Sequence, residues 1–326
     1  MPAHAVARAR PLRPGRSAKR VFACAETIRR FDPRFLENMQ MKRREFLATA
    51  GAAAVLSALP FRFAKASFSK PYKVLYYTRS AGFQHSVVAR KNGELAWSEK
   101  ILTDLGKEYG VEVVCSKDGG VFDGDLDQYD AIALYATGDW LKPGKNDNSK
   151  PVTEKGLENF LNAVKAGKSV VGFHAATDAT GGPGPISPYT QMIGGRFAGH
   201  GKQQEATNTV VPGFPGLEKL GKSIRMVEEW YTLKDIAEDM HVILVQETEG
   251  MEGQPYNRPP FPATWAKKYG EGRVFYTSLG HREDVWTSDV MRQIIVAAFA
   301  WALGEVDFDP VPNLKEVCPG ANQLPK

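Results

Sequence analysis

The 326-residue sequence predicts an α/β protein built on a doubly wound, mostly parallel sheet. Three observations carry this. Short apolar runs rich in β-branched and aromatic residues alternate with segments of helical spacing. The connections between them are short, and no repeat of fixed period is visible. Hydrophobic residues make up 43% and aromatics 10%, enough for a large core and incompatible with a disordered chain.

The elements follow in order. Tyr72 to Thr78 (YKVLYYT) reads as a buried strand, followed by a Gly-containing loop from Arg79 to His85. Residues 86–109 show helical spacing through Val87, Leu95, Ile101, Leu102 and Leu105 and close at Gly110. Val111 to Cys115 and Tyr129 to Ala136 read as the second and third strands. Thr153 opens a helix whose apolar face is Leu157, Phe160, Leu161 and Val164. Ser169 to Phe173 is a fourth strand, Arg273 to Thr277 the last, and Trp286 to Leu303 a long closing helix. Residues 205–270 are less regular, with strand-like runs at Thr207–Val211 and His241–Gln246, and read as an insertion on the same sheet. The tail, residues 305–326, holds four prolines after Val306 and reads as an extended strap.

The N-terminal 66 residues read differently. Met41 to Ala66 (MKRREFLATAGAAAVLSALPFRFAKA) has a basic start, a short apolar run and a small-x-small end, the plan of a cleaved signal peptide. Arg43-Arg44 before Phe46-Leu47 resembles a twin-arginine export signal, which implies a periplasmic protein with no stable membrane span after cleavage. Residues 1–40 precede this complete signal and read as a disordered arm or a start codon placed too early. The whole chain carries +5, of which residues 1–40 contribute +6 and residues 41–66 contribute +4, which leaves the remainder at −5. An acidic remainder offers no electrostatic footprint for nucleic acid. Cys115 and Cys318 remain there, and a bridge between them is open but not deducible.

Ligands in such folds bind beyond the carboxyl ends of the strands. His85, His174, His200 and His281 all lie just after predicted strands or in glycine-rich turns, whereas His241 precedes a strand and carries no expected role. Gly194, Gly195, Gly199 and Gly201 surround Arg196 and His200 and permit close backbone approach. In Glu228-Glu229-Trp230-Tyr231, strand alternation puts Glu229 and Tyr231 on one face, with one carboxylate toward the site and one toward solvent. No GxxxxGK[ST] or GxGxxG fingerprint occurs, which argues against nucleotide binding. Trp140, Tyr189, Phe197, Trp230, Tyr231, Trp265 and Trp286 could pack on sugar C–H faces, and Trp140, in the polar loop GDWLKPGKNDNSK, is the candidate exposed platform.

The series GFHAATD, MIGGRFAGH, EEWYTL and GRVFYTSLGH resembles the ThuA-like (trehalose-utilisation) family over residues 72–304. The resemblance implies a class I glutamine amidotransferase-like fold, a flavodoxin-like three-layer sandwich, over residues 67–304, and a role in sugar utilisation. In that fold a cysteine nucleophile occupies a tight strand-to-helix turn. Here His174 stands in that position, and His281 with Glu283 fits the accompanying His-x-Glu pair. An imidazole there cannot form the thioester that glutamine hydrolysis needs. Two chemistries suit the set. In one, His174, His200, His281 and a carboxylate bind a divalent metal, zinc or similar. In the other, no metal is needed, and a histidine with Glu229 or Asp178 performs acid–base chemistry on a saccharide or keto-sugar. Asp178, four residues beyond His174, would orient its ring across one helical turn. The catalytic set is then His174, Asp178, Glu229 and His281, and the substrate-binding set His85, Trp140, Arg196 and Tyr231. A hydrolase, isomerase or lyase follows. The alternatives are a non-catalytic carbohydrate-binding protein and a partner subunit of an exported sugar oxidoreductase.

Overall fold

The computed structural model describes residues 67–144, 147–180 and 184–325. The readings of residues 1–40 and of the export signal at 41–66 lie outside the described residues, as does most of Gly181–Gly184. Among the described residues no helix is long and apolar enough to cross a membrane.

The first half of the fold is parallel. Strands β1 (Tyr72–Tyr77), β2 (Val111–Ser116), β3 (Ala131–Leu134), β4 (Ser169–Phe173) and β11 (Gly272–Thr277) pair in the spatial order β2-β1-β3-β4-β11. β4 is buried along its whole length, and Val74, Leu75, Tyr76 and Tyr77 of β1 are closed off on both faces, which explains their unbroken apolar run. The chain reverses its winding direction at β1, so the crevice beyond its carboxyl end is a topological switch point.

Helices cover both faces. α1 (Trp97–Tyr109) and α5 (Asp289–Ala302) pack on one core, which includes Leu102, Leu105, Phe173, Phe275, Ile294 and Trp301. α2 (Glu154–Lys165) and α3 (Pro188–Ile193) pack on the other, with Phe160, Val164, Met192 and Ile193. Three of these helices start on a hydroxyl cap: Thr153 accepts from Gly156 N, Ser187 from Thr190 N and Ser288 from Met291 N.

Two predicted helices are divided. Residues 86–109 form a 3₁₀ turn at Ser86–Val88 and then α1, because Asn92 and Gly93 adopt left-handed backbone between them. The closing helix is likewise a short α4 (Glu283–Trp286) followed by α5, the Ser288 cap marking the new start.

The irregular stretch does extend the same sheet, by antiparallel pairing. β10 (Phe261–Tyr269) pairs with β11, β9 (Met240–Gln246) with β10, β6 (Gln204–Val210) with β9 and β7 (Ser223–Glu228) with β6. Two further strands, β5 (Arg196–His200) and β8 (Tyr231–Lys234), form a separate antiparallel pair. The tail carries one helical turn, α6 (Leu314–Val317), and is tied to β9 where Asn313 bonds both the N–H and the carbonyl of Val242. Cys115 and Cys318 are free thiols packed against opposite faces of the sheet, so no bridge joins them.

Candidate metal centre

Three ends of the parallel strands and one crossover deliver a single cluster. His85 closes the loop after β1, His174 follows β4 directly, His281 follows β11, and Glu229 sits between β7 and β8. One ligand-type atom from each of His85, His174, Glu229 and His281 lies within 4.8 Å of all the others. The ring centroids are 5.1 Å apart for His85–His174, 5.2 Å for His85–His281 and 5.4 Å for His174–His281.

His174 is held in an unusual backbone state. It starts a 3₁₀ turn (His174–Thr177) with φ +36°, a left-handed conformation that a side chain other than glycine's adopts at a cost of about 1–3 kcal/mol. The turn projects the imidazole into the crevice. Its Nδ1 lies 2.7 Å from the Ser278 carbonyl. A carbonyl only accepts, so Nδ1 carries the proton and Nε2 presents a lone pair. That Nε2 is buried, has no hydrogen-bond partner, and lies 3.6 Å from Glu229 Oε2.

The other donors behave alike. His281 Nδ1 is 2.9 Å from Glu229 Oε2 but lacks the alignment of a hydrogen bond, and His85 Nδ1 has no partner while its Nε2 meets the Tyr231 hydroxyl at 3.3 Å. Burial, reinforced by the neighbouring imidazoles, pushes the His85 pKa down to about 2, so this ring is neutral and able to donate a lone pair. Burial alone would raise the Glu229 carboxyl, but in the absence of an ion, N–H groups of His174 and His281 directed at it outweigh burial and hold it well below the usual carboxylate range; a bound cation would take the place of those protons. The Tyr231 ring packs against that of His174 at 3.9 Å, tilted by 37°, and closes the cluster from the β8 side.

Glu228 supports this arrangement from behind. It is fully buried and accepts the backbone N–H of Gly280, His281 and Glu229, which ties the β11 loop to the strand end that carries Glu229. Gly280 between them has φ +122°, and a Cβ there would meet the Trp286 indole at 3.2 Å. Glu228→Gln removes the charge that three N–H groups face. It is expected to lower unfolding free energy by about 1–3 kcal/mol and metal affinity about tenfold, read by urea unfolding and competitive metal titration.

The expected residues divide. His174, His281, Glu229, His85 and Tyr231 converge. His85, expected as a substrate contact, lies within the donor set. His200 is not in that set: it is 43% exposed, on the rim, with Nδ1 3.4 Å from Glu229 Oε1. Asp178 makes no hydrogen bond to His174. In a 3₁₀ turn residues three apart eclipse, so the fourth is rotated about 120° away. Glu283 is exposed and opens α4, and the carboxylate beside His281 is Glu229. Glu228 faces neither site nor solvent. Arg196 is paired with Asp235 and bonds the Gly184 carbonyl, away from the cluster.

Trp140 is not an exposed platform. It is fully buried, stacked on Phe122 and flanked by Tyr77 and Tyr189. Buried Arg79 binds the carbonyls of Trp140, Lys142 and Ser149 and folds the polar loop over it. Of the seven aromatics proposed to meet sugar, only Phe197 is not buried. Sequence reading passed over Phe83, which is 64% exposed, with its ring 4.9 Å from that of His85. Its place in the loop after β1 was the available signal.

Asp178 lies in a cleft beside the cluster, where burial raises its carboxyl to about 6. The folded state therefore disfavours the ionised form. Wild-type protein loses stability as pH rises from about 4 through 6, and Asp178→Asn removes that loss. The variant is expected to be about 1–2 kcal/mol more stable at pH 8, the gap closing toward pH 4, as urea unfolding at each pH will show.

Comparison with known proteins agrees with this fold. A ThuA-like protein from Parabacteroides merdae ATCC 43184 superposes with TM-score 0.55 at 17% identity, covering 74% of this chain and 94% of its own. A ThuA-like protein from Bacteroides uniformis ATCC 8492 gives 0.53 at 20% identity, covering 78% and 99%. No curated protein matches the chain. The glutamine amidotransferase-like architecture is thus shared with these structures, with His174 at its strand-to-helix turn. The ThuA model, described as trehalose utilisation, matches residues 73–302, from the first strand to the last long helix and across every member of the cluster, and the chain belongs to that family.

Proposed function

We propose that this protein is an exported enzyme that holds a divalent transition-metal ion on His85, His174, His281 and Glu229 and acts on a saccharide or keto-sugar. One observation carries the reading: three buried imidazole nitrogens without hydrogen-bond partners converge on a single carboxylate. Orphaned buried polar atoms are costly, and a cation that accepts their lone pairs removes the cost. Three nitrogens and one oxygen suit zinc, manganese, iron, cobalt or nickel. Such an ion would polarise a substrate oxygen.

The chain's own groups do the rest. The Ser278 carbonyl fixes the tautomer of His174, Glu228 fixes the loop of His281, and Tyr231 packs against His174 while its hydroxyl contacts His85. His200, at the rim beside Glu229, is placed to exchange a proton with bound substrate. With His174 where an amidotransferase needs a thiol, and with Cys115 and Cys318 both outside the crevice, glutamine hydrolysis is not the activity. The family description supports a sugar substrate, and the MKRREFLATAG start supports export to the periplasm.

The test is elemental analysis of untagged protein alongside turnover of disaccharides and 3-keto-disaccharides. About one equivalent of metal is expected, with turnover lost on chelation and restored by the ion. Less than about a tenth of an equivalent with full activity would overturn the reading.

A further inference from the structure

The donors of the cluster are not equally accessible. His85 and His174 are closed off from solvent, whereas His281 and Glu229 keep 19% and 12% of their side chains exposed, so a ligand reaches the four donors past these two. Two exposed rings border the donors. His200 stands beside Glu229 and supplies a polar edge. Phe83 stands beside His85, with ring centroids 4.9 Å apart and planes 82° from parallel. The His85 and His281 rings are themselves neighbours, 5.2 Å between centroids.

A single exposed apolar side chain is ordinary on a protein surface. Phe83 differs in how it is held. Among the described residues it is the most exposed of the large hydrophobic side chains, yet its backbone is fixed. The buried Thr137 hydroxyl donates to the Phe83 carbonyl at 2.7 Å. The Thr137 carbonyl accepts the N–H of Ala81 at 3.0 Å and that of Gly82 at 3.2 Å. Gly138 packs so closely behind the loop that a Cβ on it would come within 2.4 Å of Gly82 N. The chain just beyond β3 thus grips the loop after β1 and presents the Phe83 ring to solvent. A ring left in water forgoes the stabilisation of burial, and here it is recovered when an apolar group is laid against the ring.

We infer that Phe83 is a specificity-determining residue that selects ligands carrying an apolar ring within a few bonds of the oxygen that meets the cluster. Such a ring packs on Phe83 edge-to-face or offset, while the coordinating oxygen turns toward His281 and Glu229. The inference rests on the metal reading of the cluster and adds what must flank the coordinating atom.

The experiment is calorimetric titration of the full protein loaded with zinc, using acetohydroxamate and benzohydroxamate, which share a chelating group and differ by a phenyl ring. Wild type is expected to bind benzohydroxamate about tenfold more tightly. Phe83→Ala should bring that ratio to about one through loss of benzohydroxamate affinity alone, with acetohydroxamate affinity and zinc content within about twofold of wild type, and Phe83→Tyr should keep the preference. A wild-type ratio of about one, a ratio unchanged in Phe83→Ala, or no binding of either probe to zinc-loaded protein overturns the inference. An equal fall for both probes also overturns it and leaves Phe83 as a cover for His85. Zinc below about a tenth of an equivalent after loading removes the metal reading and this inference with it, whereas full zinc without a ring preference removes this inference alone.

Discussion

Replacing His174 with alanine is expected to lower turnover at least about 10³-fold and to leave metal at well under one equivalent. The expectation follows from position. This imidazole is fully buried, its Nδ1 is committed to the Ser278 carbonyl, and its free Nε2 faces the other donors. The backbone gives an independent check. Because residue 174 has φ +36°, glycine there relieves strain that alanine retains. His174→Gly should therefore be about 1 kcal/mol more stable than His174→Ala, although glycine ordinarily costs stability relative to alanine. Urea unfolding of the two variants, with turnover absent in both, separates a residue strained for chemistry from one that merely packs.

Glu229→Gln is the second large effect. It preserves volume but removes the only carboxylate among the four donors. Metal affinity is expected to fall by at least about 100-fold, since the charge that offsets a divalent ion is lost, and turnover should fall with it. The native charge also has a pH signature. The Glu229 carboxyl is held below its ordinary range, so its contribution to stability is present at neutral pH and is lost as pH falls below about 4. The glutamine variant should lack that acid-side loss. Competition with a chromogenic chelator reads the affinity, and unfolding at low pH reads the linkage.

Much of the scaffold was legible because buried parallel strands announce themselves. β4 occupies the residues expected from its apolar run, and four histidines were placed by their positions after strands or in glycine turns. The failures share a cause: side-chain direction and loop folding depend on contacts distant in sequence. Trp140 looked exposed because its neighbours are polar, but Arg79, from the end of β1, pulls their carbonyls inward. Asp178 would meet His174 across an α-helical turn, but the chain makes a tighter 3₁₀ turn there. Glu283 matched a sequence pattern but opens α4 at the surface, and the carboxylate beside His281 is Glu229, which the alternation in Glu228-Glu229-Trp230-Tyr231 had singled out. His200 and His85 exchanged places for the same reason. The loop after β1 turns His85 inward to 2% exposure, while the antiparallel β5–β8 pair carries His200 to the rim.

The claim on which the rest depends is that one cation sits among these four side chains. Crystals of untagged protein, measured on both sides of the absorption edge of the metal found by elemental analysis, address it directly. One anomalous peak is expected about 2.0–2.2 Å from a nitrogen of each of His85, His174 and His281 and from an oxygen of Glu229. A crystal of active protein with no peak at that position, or with its only peak elsewhere, would contradict it.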